Sequence, residues 1–223
     1  MIMPELHPGL QAHPSGALWL PAAGAALLAD VHLGYAWAMR RRGQLGPPVS
    51  AGVGERLERL LQELQPRLLV VLGDLVHAPR PGAEEQAAIE RQIASLRAHA
   101  GLLLVRGNHD RGFARDFAHL ELPAVEEWAF GGWRAVHGDQ AGPGQRLILG
   151  HFHPAVSIRD AAGARMRLPA FLVFPNAVVL PAFSPLAAGF DVRRGLPAGL
   201  RAIVGAGRPG VWATSGTAVA RVR

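Results

Sequence analysis

Cysteine and lysine are both missing from the 223-residue chain, so all 23 of its basic side chains are arginines. The lack of cysteine excludes disulfides, thiolate metal sites and a cysteine nucleophile. Any metal ion must therefore be held by nitrogen and oxygen atoms. This ligand type suits manganese, iron or zinc better than copper(I) or an iron–sulfur cluster.

Long hydrophobic runs are absent as well, and no segment is apolar for long enough to cross a bilayer. The first ten residues do not place a basic region before an apolar core, as a secretory signal would. By default we expect a cytoplasmic protein with no membrane partner. Neither a fixed-period repeat nor a Ser/Gly linker divides the sequence, so we expect one domain over residues 1–223.

Basic residues outnumber acidic ones, and the formal net charge is +6. Arginine forks bind phosphate well, so this excess favours a polyanionic partner. A chain rich in alanine, glycine and arginine but without lysine also fits a GC-rich coding bias. Charge alone therefore leaves both interpretations open.

Short apolar runs alternate with helical patterns in the first half of the chain. Residues 57–64 place their leucines on one helical face before Pro66, and residues 83–100 form a second helical pattern. The alternation predicts an α/β fold with largely parallel pairing. Four apolar runs have the character of buried strands that end at polar residues: 25–29, 68–72, 102–105 and 147–149.

The second half of the chain has a different pattern, with short strand candidates broken by proline and glycine. These candidates predict a second, more antiparallel sheet that packs against the first. They are residues 171–174, 178–183, 202–204 and 211–214.

Five polar clusters carry the chemical signal, and each follows or begins near a predicted strand end. Active sites of open α/β sheets lie at the carboxyl ends of strands, so we expect the clusters to converge. Residues two apart on an extended segment point the same way, so Asp30 pairs with His32, and His151 with His153. Carboxylate, imidazole and amide oxygen together suit divalent metals. The clusters are Asp30-Val31-His32, Gly73-Asp74-Leu75-Val76-His77, Gly107-Asn108-His109-Asp110, His137-Gly138-Asp139 and Gly150-His151-Phe152-His153.

Any one of these clusters alone is more often a coincidence, but the five in this order resemble the signature of the calcineurin-like metallophosphoesterase superfamily. The resemblance spans about residues 30–153. It implies an α/β fold that is a four-layer α/β/β/α sandwich of two mixed sheets flanked by helices. It also implies two divalent metal ions that activate a hydroxide for attack on phosphorus. One metal would take Asp30, His32 and His153, the other Asn108, His137 and His151, with Asp74 as the bridge.

A narrower resemblance links the chain to the bacterial ligase-associated DNA-damage-response phosphoesterases. It rests on Asp30-Val31-His32-Leu33-Gly34, Arg41-Arg42-Gly43, Gly73-Asp74-Leu75-Val76-His77 and Leu180-Pro181-Ala182-Phe183. It implies a manganese-dependent DNA endonuclease in DNA repair, with iron or zinc as alternative metals. The implied partners are single-stranded or nicked DNA and, functionally, a DNA ligase and a helicase. The alternatives are a phosphoesterase for a small nucleotide or a lipid pyrophosphate, and a non-catalytic scaffold of the same fold.

Three further residues are candidates for catalysis. His109 follows the ligand Asn108 directly and would face the leaving group, so we assign it as general acid. Asp110 either holds the His109 ring or caps the following helical turn. His77 either contacts the phosphate beside Asp74 or is a structural hydrogen-bonding residue.

Substrate binding is assigned to arginines near these clusters. Arg106 and Arg111 flank the Asn108 cluster and are the best placed to meet a phosphodiester. Arg41, within an arginine run, belongs either to a phosphate-binding patch or to a solvated helix face. Asp139 either orients a ligand or caps a turn. Three tryptophans are candidates for base stacking or, more ordinarily, for core packing: Trp37, Trp128 and Trp133.

Overall fold

A computed structural model describes residues 2–44, 52–77, 80–144, 146–159, 163–187 and 189–222. Two sheets and five helices make up this part of the chain. Of the helices in the described ranges, none has both the length and the apolar character that crossing a bilayer requires.

The first sheet contains seven strands that neighbour one another in chain order. The first three pairings are antiparallel hairpins, and the sheet then continues in parallel from β4 to β7. The strands are β1 (Glu5–His7), β2 (Leu10–Ala12), β3 (Leu18–Leu20), β4 (Ala25–Ala29), β5 (Leu68–Leu72), β6 (Gly101–Val105) and β7 (Ala124–Val125).

The second sheet is mixed and contains nine strands. Its central strands β9, β10 and β13 run parallel, while antiparallel pairs flank them. The strands are β8 (Trp128–Phe130), β9 (Trp133–Val136), β10 (Leu147–Leu149), β11 (Pro154–Arg159), β12 (Arg165–Phe174), β13 (Ala177–Val179), β14 (Phe190–Asp191), β15 (Gly210–Thr214) and β16 (Val219–Val222). The order is β14-β11-β12-β13-β10-β9-β8, with β15 beside β12 and β16 beside β15.

The five helices are α1 (Tyr35–Arg41), α2 (Val53–Leu64), α3 (Ala83–His99), α4 (Phe113–Asp116) and α5 (Ala198–Val204). Successive side chains of a strand point to opposite faces, so a buried strand contributes side chains to a core on each side of its sheet. On β5, Leu69 and Val71 pack with the core of α2 and α3, whereas Val70 and Leu72 pack with the second sheet. The outer face of the second sheet packs against α5. The predicted four-layer α/β/β/α sandwich is therefore confirmed.

Most of the predicted elements match the structure, but two do not. Residues 202–204 belong to helix α5 rather than to a strand, and residues 180–183 continue past β13 without strand structure. A short apolar run cannot be told from a buried helix by its composition alone. Here Leu200 and Ile203, three residues apart, bury one helical face against the second sheet.

Candidate metal centre and its clefts

The five polar clusters meet where the carboxyl ends of parallel strands from both sheets come together. Asp30, Asp74 and Asn108 follow β4, β5 and β6 of the first sheet, closely or directly. His137 and His151 follow β9 and β10 of the second sheet in the same way. The buried apolar strands of the two sheets hold the backbone in place. The polar side chains that follow these strands are therefore brought to one edge of the sandwich.

One group of metal-ligand atoms comprises Asp30, His32 and His153. One donor atom from each residue lies within 4.8 Å of the others. The Asp30 Oδ1 to His153 Nε2 distance is 3.1 Å. This grouping has the same membership as the first metal site that the family resemblance implies.

A second group surrounds Nε2 of His137. This nitrogen lies 3.0 Å from Asn108 Oδ1, 3.2 Å from His151 Nδ1 and 3.6 Å from Asp74 Oδ1. The other carboxylate oxygen of Asp74 lies 3.9 Å from His32 Nε2. Asp74 thus lies between the two groups, as a bridging carboxylate must.

The donor set fits divalent cations on two observations. His137 donates from Nδ1 to the Leu72 carbonyl oxygen at 2.9 Å, so its Nε2 presents a lone pair to the Asp74 carboxylate, and a cation between these two acceptors would stabilise them. Asp30 is fully buried; its Oδ2 accepts the His151 backbone N–H at 3.0 Å, whereas its Oδ1 accepts no hydrogen bond from the described residues and lies beside His153 Nε2. Burying a carboxylate is costly unless a positive charge compensates it, and with His32 neutral beside it, a bound cation would supply that charge.

The backbone at the ligands departs from the extended form that the sequence spacing suggested. Nine described non-glycine residues have positive φ, and five of these are predicted ligands. Such backbone is uncommon outside glycine and concentrates at functional sites. The convergence of Asp30 with His32 and of His151 with His153 therefore comes from left-handed turns and not from strand alternation. The five ligands are Asp30 (+56°), His32 (+51°), Asp74 (+52°), His151 (+64°) and His153 (+48°).

Asn108 and His109 point toward different parts of the centre. The Asn108 side chain meets His137, whereas the His109 ring contacts His32 edge-on, with ring centroids 5.3 Å apart. His109 donates from Nδ1 to the carbonyl oxygen of His77 at 2.8 Å. Its Nε2 is therefore the nitrogen left for a substrate.

Asp110 ties loops together. Its carboxylate accepts hydrogen bonds from the backbone N–H groups of Gly107, Asp74 and Leu75 at 2.7–3.0 Å. The carbonyl of His77, and not Asp110, holds Nδ1 of His109. Asp110 therefore neither holds the His109 ring nor caps the turn that follows it; it accepts from the N–H that precedes its own turn and from the loop after β5, which corrects both alternatives.

The predicted substrate arginines occupy different surroundings. Arg41 pairs with the buried Glu85 of α3, while its own side chain is 45% exposed, so the phosphate-binding patch and the solvated helix face both stay predictions. Arg106 is half exposed and pairs with Glu126 at 2.7 Å. The backbone of Arg111 lies in the 3-10 turn Asn108–Gly112, but its side chain is outside the described part of the structure.

Two large clefts open on the centre in the described part of the chain. The larger, about 500 Å³, is lined by Asn108 and His137 together with Arg106 and Arg134. The smaller, about 340 Å³, opens on His153. They reach the two groups of ligand atoms separately, so a substrate can approach each group from solvent.

Two residues of the site carry no motif that marks them as functional in the sequence. Tyr35 packs edge-on against the His77 ring with centroids 4.1 Å apart, and its position three residues after His32 at a helix start was an available signal. Arg134 lines the larger cleft from β9 and pairs with Glu127, an arrangement that no local pattern indicates. Of the tryptophans, Trp133 is buried in the core between the sheets.

Two histidines at the centre, His32 and His77, have low pKa values because they are buried. Burial lowers the pKa of His32 to about 3, and the neighbouring His153, His77 and His109 act in the same direction against Asp30. Burial also lowers the pKa of His77 to about 4, helped by His109 and by Arg42 and Arg41. Neutral imidazole is the form that binds metal, so low pKa values keep this site competent near neutral pH.

Acid should therefore destabilise the metal-free protein partly through His77. Between pH 6.5 and pH 4 the unfolded chain takes up a proton at His77 that the folded chain does not, so folded stability falls as pH falls. His77→Asn should make the slope of unfolding free energy against pH shallower by about one proton in this window. Urea denaturation in chelator at several pH values measures the slope. The exposed His99→Asn is the control for loss of a histidine, and parallel wild-type and His77→Asn slopes would contradict the expectation.

The fold and the site together define a metal-binding phosphoesterase. The sequence model of the calcineurin-like phosphoesterase family matches residues 25–170. The chain therefore belongs to the calcineurin-like phosphoesterase family, and it is a hydrolase that acts on phosphodiester bonds.

Solved structures provide further comparisons. The chain is similar to a nuclease MPE from Pseudomonas putida, with 27% sequence identity, 96% of this chain and 94% of that chain covered, and a TM-score of 0.71. It is also similar to Yfce, a phosphoesterase from E. coli, with 17% identity, 89% and 97% coverage, and a TM-score of 0.44. No curated protein matches the sequence.

Proposed function

We propose that the protein is a metal-dependent DNA endonuclease that acts in DNA repair. The observation that carries the proposal is the convergence of all seven predicted ligands between two solvent-open clefts that each contain arginines. Open clefts suit a polymer better than a small nucleotide, and the smaller cleft carries Arg56 and Arg167 with no carboxylate among its described lining residues. The similarity to the Pseudomonas putida nuclease over nearly the whole chain supports the choice of a nucleic acid.

Asp30, His32 and His153 would hold one divalent cation, and Asn108, His137 and His151 the other, with Asp74 shared. When bound, the two cations supply Lewis acidity toward the phosphoryl oxygens and lower the pKa of water. We propose manganese as the metal, because the ligands are oxygen and nitrogen atoms only and manganese accepts such mixed sets.

The residues of the chain then position the reacting groups. The two clefts let the phosphodiester lie with one flank beside Arg106 and Arg134 and the other beside His153. His109 is fixed from both sides, because its N–H donates to Asp74 Oδ1 at 2.9 Å and its Nδ1 donates to His77. A protonated His109 would present Nε2–H to the leaving oxygen, which is the role of a general acid.

His109→Ala should slow cleavage much more for a substrate whose leaving group needs a proton than for one whose leaving group does not. Cleavage of DNA, whose alkoxide leaving group is strongly basic, should fall by about 10²–10⁴-fold. Hydrolysis of bis-p-nitrophenyl phosphate, whose phenolate leaves without protonation, should fall much less. Both rates are measured with manganese, on supercoiled and single-stranded DNA and on the aryl diester. Equal losses on the two substrates would contradict the general-acid role.

The same assay tests the proposed function. The wild-type enzyme should cut covalently closed circular DNA when manganese is added and should not cut it in chelator. Hydrolysis of a small nucleotide or a lipid pyrophosphate without cutting of DNA would replace the substrate and retain the chemistry. Metal binding without hydrolysis of any diester would favour a scaffold. The functional link to a DNA ligase and a helicase, and the cytoplasmic location, stay predictions.

A further inference from the structure

The hairpin formed by β11 and β12 extends from the cleft at His153 and has two different faces. Residues directly opposite each other in an antiparallel pair share a face, and the register pairs Ser157 with Arg167 and Arg159 with Arg165. All three arginines therefore lie on one face of the hairpin, and all three are exposed. We call this surface, formed by Arg159, Arg165 and Arg167, the basic ribbon face.

The opposite face of the hairpin is apolar and anchored. Val156 is buried in a small core with Ala170 and Ala213, and Ile158 and Leu168 pack partly against it. This packing fixes which way the hairpin faces, because strand side chains alternate strictly between faces. The basic ribbon face is consequently held outward by the fold and does not depend on the conformations of long side chains.

The basic ribbon face is continuous with the cleft that opens on the metal centre. Ala155 and Pro169, which pair in the same register, line the cleft of about 340 Å³ together with Arg167 and His153. Arg56 lines the cleft as well, and no carboxylate occurs among the described residues that line it. The larger cleft differs in this respect, since Glu126 and Glu127 accompany its arginines.

The pairing of Arg159 with Arg165 lowers the stability of the folded protein. Like charges directly opposite each other across an antiparallel pair destabilise it. A polyanion lying along this face would neutralise both charges and remove the repulsion. These two arginines therefore differ from arginines that lie singly on the surface, because a bound polyanion would remove a repulsion between them.

We propose that the basic ribbon face binds the phosphodiester backbone of a nucleic-acid strand as it leaves the metal centre through the cleft at His153. The inference deepens the proposed nuclease function and rests on it for the nature of the ligand. Arg167 is shared by the cleft and the ribbon, so it contacts the strand nearest to the scissile phosphate. Arg159 and Arg165 bind the strand farther along and take no part in the chemistry.

The test compares the double variant Arg159→Ala/Arg165→Ala with a matched control, Arg91→Ala/Arg201→Ala. The control also removes two exposed arginines, from α3 and α5, and neither of them lines the two clefts. Binding of a fluorescein-labelled single-stranded oligonucleotide is followed by anisotropy over a series of salt concentrations in chelator. Cleavage of DNA and of bis-p-nitrophenyl phosphate is measured with manganese.

The ribbon variant should bind DNA about tenfold more weakly, with a salt dependence that is shallower by about two phosphate contacts. Its KM for DNA should rise while its rate on the aryl diester stays at the wild-type value, which also shows that it is folded. The control variant should bind at least several-fold more tightly than the ribbon variant. Equal binding by the ribbon and control variants, or no DNA binding by the wild type, would overturn the inference. Wild-type DNA binding without cleavage, lost in the ribbon variant only, would refute the nuclease proposal and leave the binding surface in place.

Discussion

Asp74→Asn should abolish phosphodiester hydrolysis, with a loss of about 10³-fold or more, on the order of 4 kcal/mol of transition-state stabilisation. Asp74 is 3% exposed and lies between the two groups of ligand atoms, one of which contains His32 and the other His137. Asparagine preserves its shape and can accept the His109 N–H bond, but it removes the negative charge that both groups share. The variant is therefore expected to lose affinity for divalent metal in both groups at once.

Stability measurements separate this explanation from a folding defect. Burial raises the pKa of Asp74, so folding disfavours its charged form in the metal-free protein. Without metal, Asp74→Asn should consequently be no less stable than the wild type. With manganese, the wild-type Tm should rise and the Tm of the variant should not. Asp116→Asn, a carboxylate paired with Arg115 away from the centre, is the control. A metal-dependent Tm rise in Asp74→Asn together with rates within tenfold of wild type would contradict the bridging role.

Gly73→Ala should damage both the fold and the site, because a Cβ at this position has no room. It would lie 2.1 Å from Nδ1 of His137 and 2.9 Å from the Cα of Gly107, and the backbone has φ of +73°. Two loops and one metal ligand would have to move apart. The expected cost is about 3 kcal/mol of unfolding free energy, together with near-complete loss of hydrolysis.

Gly131→Ala provides the matched control for this prediction. Gly131 also has positive φ, +55°, but nothing lies within 4 Å of its hypothetical Cβ. Gly131→Ala should lose only about 1 kcal/mol of unfolding free energy, because the left-handed backbone disfavours a Cβ, and it should retain full activity. Chemical denaturation and bis-p-nitrophenyl phosphate hydrolysis give both quantities. If the two variants lost the same stability and kept the same activity, close packing at Gly73 would not be the cause.

The strands nearest the site were predictable because they are buried on both faces. Residues 25–29, 68–72 and 147–149 are short apolar runs with sharp polar or glycine boundaries, and the structure gives them the same bounds. Helix α5 was not predictable in the same way, because its apolar residues face a sheet that forms only in the complete fold. The local sequence pattern was therefore enough to predict those strands that are buried on both faces.

The ligands of the site could be read from the sequence, but the way in which they converge could not. An Asp-x-His spacing is the same whether the backbone is extended or left-handed, and tertiary packing selects the left-handed form here. The arginines show the same limit. Arg41 and Glu85 are 44 residues apart, so their pairing depends on how α1 meets α3. Sequence thus indicates which chemistry is present, and only tertiary structure indicates which charges remain available for it.

The ligand set has a consequence for how the folded state is secured. His151 donates its backbone N–H to Asp30, 121 residues earlier in the chain, and the two residues follow strands of different sheets. A cation held by both halves would therefore act as a removable cross-link that closes a very long loop, and long closures restrict the unfolded ensemble most. A chain without a single thiol can in this way obtain from metal ions the reinforcement that other proteins obtain from sulfur bridges, and chelation would undo it under conditions where a reductant has no effect.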